Sequence, residues 1–409
     1  MLYFKHSELV DNYRVSLKTV HNWIAAAKQG KLDLTLHEQG GRTYIANKPS
    51  NLIVLRKLSD KGKKYRNTLH HKVITPKPEF YDLYSRRQIL DIIHNLDIHR
   101  EIPRQYNYFN GGADNWDKWV KRLEKEKTAN YYNGTVGLLH DNLSKIDLLI
   151  QDHTRINVID IGVGNAMPAR ELLTHLLDRG ILNRYIALDI SGEMLDIAER
   201  NIHEWFGDKI KFEGHIRDIG HERFDDILVD DMLGEHAEHT LNLALLLGAT
   251  PANFRSPLSV VRTIYSSIGQ DDLLIYTMKP DSDTSRGYFD FSLTPDSKGL
   301  SSYNAMIEML NINDSLYDIE MGFDEQKHMR YVRIKLRTAL SIEFKFENGV
   351  HPVHLEKGDT ILLLRVWHKN PIEIISDFEQ VGFTLLHSSL TKDRQYLMTI
   401  SGVNVKAED

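Results

Sequence analysis

Asp160, Gly162 and Gly164 in Val158-Ile-Asp-Ile-Gly-Val-Gly-Asn165, with Asp189 in Tyr185-Ile-Ala-Leu-Asp-Ile-Ser191, have the types and spacing to hold a nucleoside. Each acid closes an apolar run that reads as a buried strand. Glycines between a strand and a helix let the backbone approach a ligand closely, and an acid at the end of the second strand accepts hydrogen bonds from ribose hydroxyls. The turn is Gly-x-Gly, without the third glycine that a dinucleotide pyrophosphate requires. Asp218, in Phe212-Glu-Gly-His-Ile-Arg-Asp218, follows a third short strand. In such a fold it lies beside the base.

These residues need an α/β scaffold, with strand, crossover helix over residues 170–178 and strand in order. The 409 residues exceed one ordinary domain. A hydrophobic content of 41% with 26% charged residues is that of a soluble globular protein. No apolar run reaches the length of a membrane span, and Met1-Leu-Tyr-Phe-Lys-His-Ser-Glu lacks a signal-peptide core, so a cytoplasmic protein is expected. There is no cysteine, which excludes disulfides, thiolate metal sites and the thiol nucleophile of cytosine C5 methylation. Glu235-His236-Ala-Glu-His239 offers two histidines without a third ligand, so no metal is expected.

The charge is uneven. Residues 1–100 carry 18 Lys and Arg against nine Asp and Glu, a net +9, which leaves −15 for the remainder of a chain of net charge −6. Residues 6–14 read as a short helix, Ser16 as an N-cap, and residues 17–32 as a second helix with Val20, Trp23 and Ile24 on its apolar face. Residues 32–36 and 42–45 are strand-like and flank His37-Glu-Gln-Gly-Gly41, a hairpin signal. Val15-Ser-Leu-Lys-Thr-Val-His-Asn-Trp-Ile24 and Gly40-Gly-Arg-Thr-Tyr-Ile45 together resemble a MerR-type winged helix-turn-helix. That resemblance implies duplex DNA as a partner and a homodimer. Lys18, Thr19, His21 and Asn22 would face bases, and Arg42, Lys48, Lys61, Lys63, Lys64 and Arg66 would face phosphates. A solvated face used for protein contact is the alternative. Pro76 and Pro78, followed by a helical stretch over residues 79–96, read as a linker and a connecting helix.

Asp160-Ile-Gly-Val-Gly164 resembles motif I of class I S-adenosylmethionine (SAM) methyltransferases. From about Tyr106 to Ser401 the chain resembles the histidine-specific SAM-dependent methyltransferase family of the ergothioneine pathway. The residues that carry this are Tyr108-Phe-Asn-Gly-Gly112, Asn130-Tyr-Tyr-Asn133, Leu188-Asp-Ile190, Leu247-Gly-Ala-Thr-Pro-Ala-Asn-Phe254, Arg286-Gly-Tyr288, Lys357-Gly-Asp-Thr-Ile361 and Phe378-Glu-Gln-Val-Gly-Phe383. The resemblance implies a class I Rossmann-like SAM methyltransferase fold with an inserted and C-terminal α+β substrate domain, behind the winged helix-turn-helix. The expected domains are residues 1–70, a linker and helix over 71–105, the SAM-binding core over 106–285, and a substrate segment with C-terminal strands over 286–409. It implies SAM as cofactor, held by Asp160, Gly162, Gly164, Asp189 and Asp218. It also implies an amine-handling pair, Asn253 and Tyr288, as the catalytic residues, with Phe109, Tyr131 and Trp367 completing the substrate site.

The departures bear on specificity. Val163, Asn165 and Met167 stand where the family has smaller or polar residues, near the methionine end of SAM. The family's imidazole-binding acid and hydroxyl fall on Leu364 and Val366, beside Trp367. A wall of Leu, Val and Trp offers an imidazole no polar partner, and polar selectivity comes from paired buried groups. The expected activity is N-methylation of a small amine, an amino-acid derivative or a peptide, and not of histidine. Two alternatives stand beside it: a ligand-sensing DNA-binding regulator without catalysis, and a nucleic-acid methyltransferase. The second lacks an Asp/Asn-Pro-Pro-Tyr/Phe motif and has an acidic body.

Overall fold

Strands buried on both faces read as unbroken apolar runs, and three such runs form the centre of the larger sheet. These are β5 (Arg155–Ile161), β8 (Thr240–Leu247) and β9 (Leu273–Met278). The structure is a computed structural model that describes residues 3–13, 15–62, 71–109, 111–126, 130–235, 237–248, 250–281 and 301–403, side chains at 60–62, 230, 232 and 301–304 excepted. The chain forms two compact units. One comprises residues 1–103, 303–320 and 333–363; the other comprises residues 104–302, 321–332 and 364–409.

The larger unit holds a seven-stranded sheet. With β6 (Leu182–Asp189), β7 (Phe212–Ile216), β15 (Thr384–Leu390) and β16 (Leu397–Gly402), its order is β15-β16-β9-β8-β5-β6-β7. Strands β5 to β9 are parallel, and β16 runs antiparallel to both β9 and β15. The chain moves from β5 outward to β7, then returns to β8 on the other side. The order therefore reverses between β5 and β8, and the crevice at the carboxyl ends there is where doubly wound sheets bind ligands. One face packs on α7 (Tyr131–Asp141), α8 (Leu143–Ile150), α9 (Arg170–Asp178) and α10 (Gly192–Phe206) through Leu138, Ile146, Leu172, Leu176 and Ile202. The other packs on α13 (Pro257–Tyr265) and the helix Pro371–Val381 through Val260, Ile264, Ile374 and Phe378. Short helices α11 (Val229–Leu233) and α12 (Thr250–Asn253) flank β8, and α6 (Gly112–Lys125) precedes α7.

The smaller unit begins with β1 (Tyr3–Phe4), α1 (His6–Tyr13), α2 (Leu17–Lys28), β2 (Leu36–Gln39), β3 (Arg42–Ala46) and α3 (Pro49–Gly62). Ser16 caps α2, its hydroxyl accepting from the Thr19 N–H, and Val20, Trp23 and Ile24 are buried against Leu9 and Tyr13. The hairpin is shifted from the expected register. Strand β2 starts at Leu36, because Gly40 and Gly41, at φ of 58° and 72°, make a two-residue turn that sets Gln39 opposite Arg42.

The division also differs from the expected one at residues 71–105. This stretch is no bare linker. Lys72–Ile74 forms β4, parallel to β12 (Leu340–Phe346), which pairs in turn with β13 (Gly349–Leu355). The helical stretch expected over 79–96 is split at Ser85 into α4 (Pro78–Leu83) and α5 (Arg86–His94), because Ser85 and Gln88 form a capping box. A π-turn, Asn95–His99, follows, and Arg100, at φ 52°, closes it by donating to Leu96 O, Asp97 O, His354 O and the Asp359 carboxylate. Arg56 on α3 pairs with Asp97 at 2.7 Å, so the first sixty residues and α5 share one unit. β10 (Tyr317–Asp324), β11 (Met329–Leu336) and β14 (Thr360–Trp367) form a further sheet, and the division between the units falls within these strands. Among the described residues no helix is long and apolar enough to cross a membrane.

Candidate functional site

Strand β5 stops at Ile161 because the next residues take backbone angles that a strand cannot. Gly162 and Gly164 have φ of 68° and 56°. The N–H groups of Gly162 and Val163 donate to Leu188 O at 2.8 and 3.1 Å, tying the turn to the end of β6. Side chains are excluded from the turn. A Cβ at Gly162 would lie 3.3 Å from Thr250 Oγ1, and one at Gly164 would lie 3.0 Å from Trp116 Nε1. Asn165, one of the departures from the family pattern, is a buried brace. Its amide donates to Asp117 Oδ1 at 2.8 Å, and Asn201 donates to its carbonyl at 2.9 Å.

Asp189 closes β6 at 9% exposure. Ser191 N–H donates to it at 3.0 Å, and the backbones of Gly164 and Ile190 also stabilise it. Burial outweighs these bonds and pushes its carboxyl up to about 6. Asp160 is buried as deeply, at 3%, and Tyr185 on β6 donates to its Oδ2 at 2.8 Å. Burial pushes Asp160 up to about 7; the Tyr185 bond opposes the rise and the charge of Asp189 adds to it. Asp218 differs, because both its oxygens have partners. Gly220 N–H donates to Oδ1 at 3.1 Å, and His221 Nδ1 lies 2.9 Å from Oδ2. Its carboxylate shapes the loop after β7, where the Phe254 ring approaches so closely that a Cβ at Gly220 would lie 2.5 Å from it.

Beyond β8, Gly248 has φ 129°, and a Cβ there would lie 2.5 Å from the Tyr131 oxygen. That hydroxyl donates to Leu247 O at 2.6 Å, while the ring stacks on Trp119 at 6.2 Å and 10°. Burial, with Asp160, Tyr108 and Tyr396 nearby, holds the phenol well above its usual range. Tyr131 is therefore a fixed wall and not a proton acceptor. Asn253, half-buried at the end of α12, makes no hydrogen bond with the described residues. The Trp367 indole N–H donates to the carbonyl of Phe254, its neighbour, at 2.9 Å. Leu364 is 3% exposed and Val366 is half-buried. Phe109 lies in a segment anchored beside Asp189, because the Ser191 hydroxyl donates to Tyr108 O at 3.3 Å.

Asp160, Gly162, Gly164, Asp189, Tyr131 and Asn253 thus gather at the carboxyl ends of β5, β6 and β8, with Trp367 and Phe109 at the margins. Tyr288, with Arg286, lies outside the described residues, as do Lys63, Lys64, Arg66 and His236. The sequence reading missed Tyr185, Trp116 and Asn201. A tyrosine in an otherwise apolar strand was the available signal for the first. In the smaller unit Lys18, His21, Asn22, Arg42 and Lys48 are exposed, whereas Thr19 is half-buried with its hydroxyl 2.9 Å from Ser16 Oγ. The glycine cradle, one carboxylate at a strand end and a second whose Oδ1 accepts nothing from the described residues fit a nucleoside bearing an amino-acid end, as SAM does.

The structure is similar to magnesium protoporphyrin IX methyltransferase (ChlM) from Synechocystis PCC 6803 with bound SAH, at 10% identity over 72% of this chain and 96% of that chain, with a TM-score of 0.40. It is similar to a 1,6-didemethyltoxoflavin-N1-methyltransferase of Burkholderia thailandensis, at 12% identity over 79% and 92%, with a TM-score of 0.34. It is also similar to a SAM-dependent methyltransferase from Clostridium acetobutylicum ATCC 824, at 11% identity over 72% and 98%, with a TM-score of 0.35. No curated protein matches the chain. Residues 86–401, which span the seven-stranded sheet, match the family described as histidine-specific methyltransferase, SAM-dependent, and the chain belongs to that family as a SAM-dependent methyltransferase.

Proposed function

We propose that this enzyme methylates the nitrogen of a small amine, an amino-acid derivative or a peptide, and that free histidine is not its acceptor. The observation that carries this reading is the segment Leu364–Trp367. Leu364 is buried, Val366 is half-buried, and the one polar hydrogen of Trp367 is committed to Phe254 O. An imidazole placed there would lose its water without gaining a partner, which costs about 1–3 kcal/mol per group. The half-buried amide of Asn253 remains open to the head group of an acceptor.

In this reading Gly162 and Gly164 admit the cofactor's backbone-facing side, Asp189 takes the ribose hydroxyls and Asp160 takes the methionine ammonium. Bound there, SAM supplies an electrophilic methyl that an amine lone pair takes up while the C–S electrons stay on sulfur. Asn253 orients the acceptor amine, and Tyr131, Trp119 and Trp367 exclude water. Positioning and a dry surround that favours the uncharged amine account for most of the rate. With Tyr131 held protonated and hydrogen-bonded, the departing proton passes to solvent.

Residues 1–70 are proposed to act as a MerR-like winged helix-turn-helix that docks on duplex DNA. The exposed row Lys18, His21 and Asn22 on α2, with Arg42 on the hairpin, supports this. Asp218 is proposed for the adenine only as a shared contact, since its oxygens already have partners.

The test is methyl transfer from radiolabelled SAM into small-molecule, protein and nucleic-acid fractions of a cell extract, with free histidine run alongside. Label in the small-molecule or peptide fraction, with histidine unlabelled, is the expected result. Label in histidine refutes the specificity reading, and label in nucleic acid refutes the acceptor class.

A further inference from the structure

Tyr185 is a fully buried tyrosine in the middle of an apolar layer. Val158, Ala187, Leu243, Leu245 and Ile275 belong to the same cluster, and a phenylalanine would fill the space equally well. Its hydroxyl makes the 2.8 Å bond to Asp160 Oδ2. The register explains the reach. Tyr185 stands opposite Val158 on β5, two residues before Asp160, so both side chains rise from one face of the sheet. Across the other edge of β5, Asp160 faces Leu245, which offers no donor. The titratable groups that act on Asp160 are Tyr185 and Asp189 from β6 and Tyr131 from α7, and Tyr131 donates its own proton to Leu247 O.

We propose that Tyr185 is a positioning residue for the cofactor: its hydroxyl holds Asp160 as a carboxylate with Oδ1 turned toward the methionine ammonium of SAM. This rests on the reading of Asp160 as the ammonium partner. The chemistry has a direction. Burial disfavours the charged carboxylate, and the Tyr185 bond is the contact that opposes it. Without the bond the carboxyl stays protonated to higher pH, and a neutral acid attracts an ammonium weakly. Cofactor affinity should therefore rise with pH through the Asp160 titration, and the position of that rise should depend on one hydroxyl.

The experiment measures S-adenosylhomocysteine affinity by calorimetry on the full chain from pH 6 to 8.5, in wild type, Tyr185→Phe and Asp160→Asn. Tyr185→Phe is expected to bind about fivefold more weakly at pH 7 and to recover toward wild type at pH 8.5, its midpoint moved up by about one unit. A loss that is equal at every pH marks a packing defect and overturns the proposal, as does an affinity profile identical to wild type while Asp160→Asn is weakened. Unchanged affinity in Asp160→Asn overturns the ammonium reading itself, and the proposal with it. Thermal unfolding of Tyr185→Phe near the wild-type midpoint shows that the fold is retained for the comparison.

Discussion

Replacing Asp189 by asparagine should stabilise the ligand-free enzyme above neutrality while weakening its hold on the cofactor. Asp189 is 9% exposed, and burial lifts its carboxyl from 3.8 to about 6. A carboxyl whose pKa is higher in the folded state than in the unfolded state favours folding while it is protonated. That contribution is complete below pH 3.8 and is lost as pH climbs through about 6. Two units correspond to roughly 3 kcal/mol of charge burial borne by the wild type at pH 8. The asparagine would carry none of it but would accept fewer of the backbone N–H groups of Ser191, Gly164 and Ile190, at about 1 kcal/mol each. The balance is a gain of about 1 kcal/mol, or about 2–4 °C in the melting temperature of the larger unit. The gain should vanish at pH 5, where the wild-type carboxyl is mostly protonated. On the proposed ribose contacts, two hydroxyl bonds to a charged acceptor are worth about 1.5–3 kcal/mol each, so S-adenosylhomocysteine affinity should fall by at least about a hundredfold. Differential scanning calorimetry at pH 5 and 8, with and without ligand, reads all of these quantities. Asp189→Asn melting below wild type at pH 8, or binding ligand as well as wild type, would refute the reasoning.

Asn253→Ala should lower kcat/KM for the acceptor by about 10–100-fold with S-adenosylhomocysteine affinity unchanged, because the amide is proposed to orient the amine and not the cofactor; an equal loss of cofactor affinity by calorimetry would contradict that role. Gly248→Ala places a Cβ 2.5 Å from the Tyr131 oxygen at a φ of 129°, so stability should fall by about 2–4 kcal/mol from backbone strain and the displaced hydroxyl. Tyr131→Phe, which loses only the bond to Leu247 O, should lose about 1 kcal/mol, and equal melting temperatures for the two variants would defeat the explanation. In the full-length chain, Arg42→Ala with Lys48→Ala should flatten the salt dependence of duplex DNA binding in a fluorescence titration, by about one log unit per log salt for each phosphate that is no longer neutralised. An unchanged slope would remove both residues from the interface.

The parts of this molecule that were legible in the sequence are those in which a local rule fixes the outcome. A glycine pair after an apolar run can only turn there, and Asp189 followed by Ser191 ends a strand and caps α10. Ser16 with Val20, Trp23 and Ile24 announced α2 for the same reason. What was hidden depends on pairing between distant segments. Lys72–Ile74 is three residues long between polar neighbours, and only β12, far along the chain, makes it a strand. Pro76 and Pro78 therefore read as a linker. The hairpin slipped because the apolar run over residues 32–36 suggested a strand, while the two consecutive left-handed glycines determined the register. Within the site, Asp160, Asp189 and Tyr131 could be named, but not how they are held. The bond from Tyr185, the approach of Trp116 to Gly164 and the use of both oxygens of Asp218 arise only when α6, β6 and the loop after β7 meet.

The two buried acids connect the fold to the function. Asp160 and Asp189 lie at adjacent strand ends, each pushed up by burial, with the charge of Asp189 making Asp160 harder to ionise. A fold selected for stability alone would not keep two carboxyls there, since neutral residues of similar shape would avoid the desolvation of both. On the proposed cofactor contacts, that burden is relieved by a ligand carrying a positive charge for one and hydroxyl donors for the other. The same burial that disfavours the carboxylates strengthens each bond that they then make. On that reading, cofactor binding and folding are coupled through these two residues. The coupling predicts that ligand should raise the melting temperature more at pH 8 than at pH 5, because only above their titration do both acids have a charge for the ligand to satisfy.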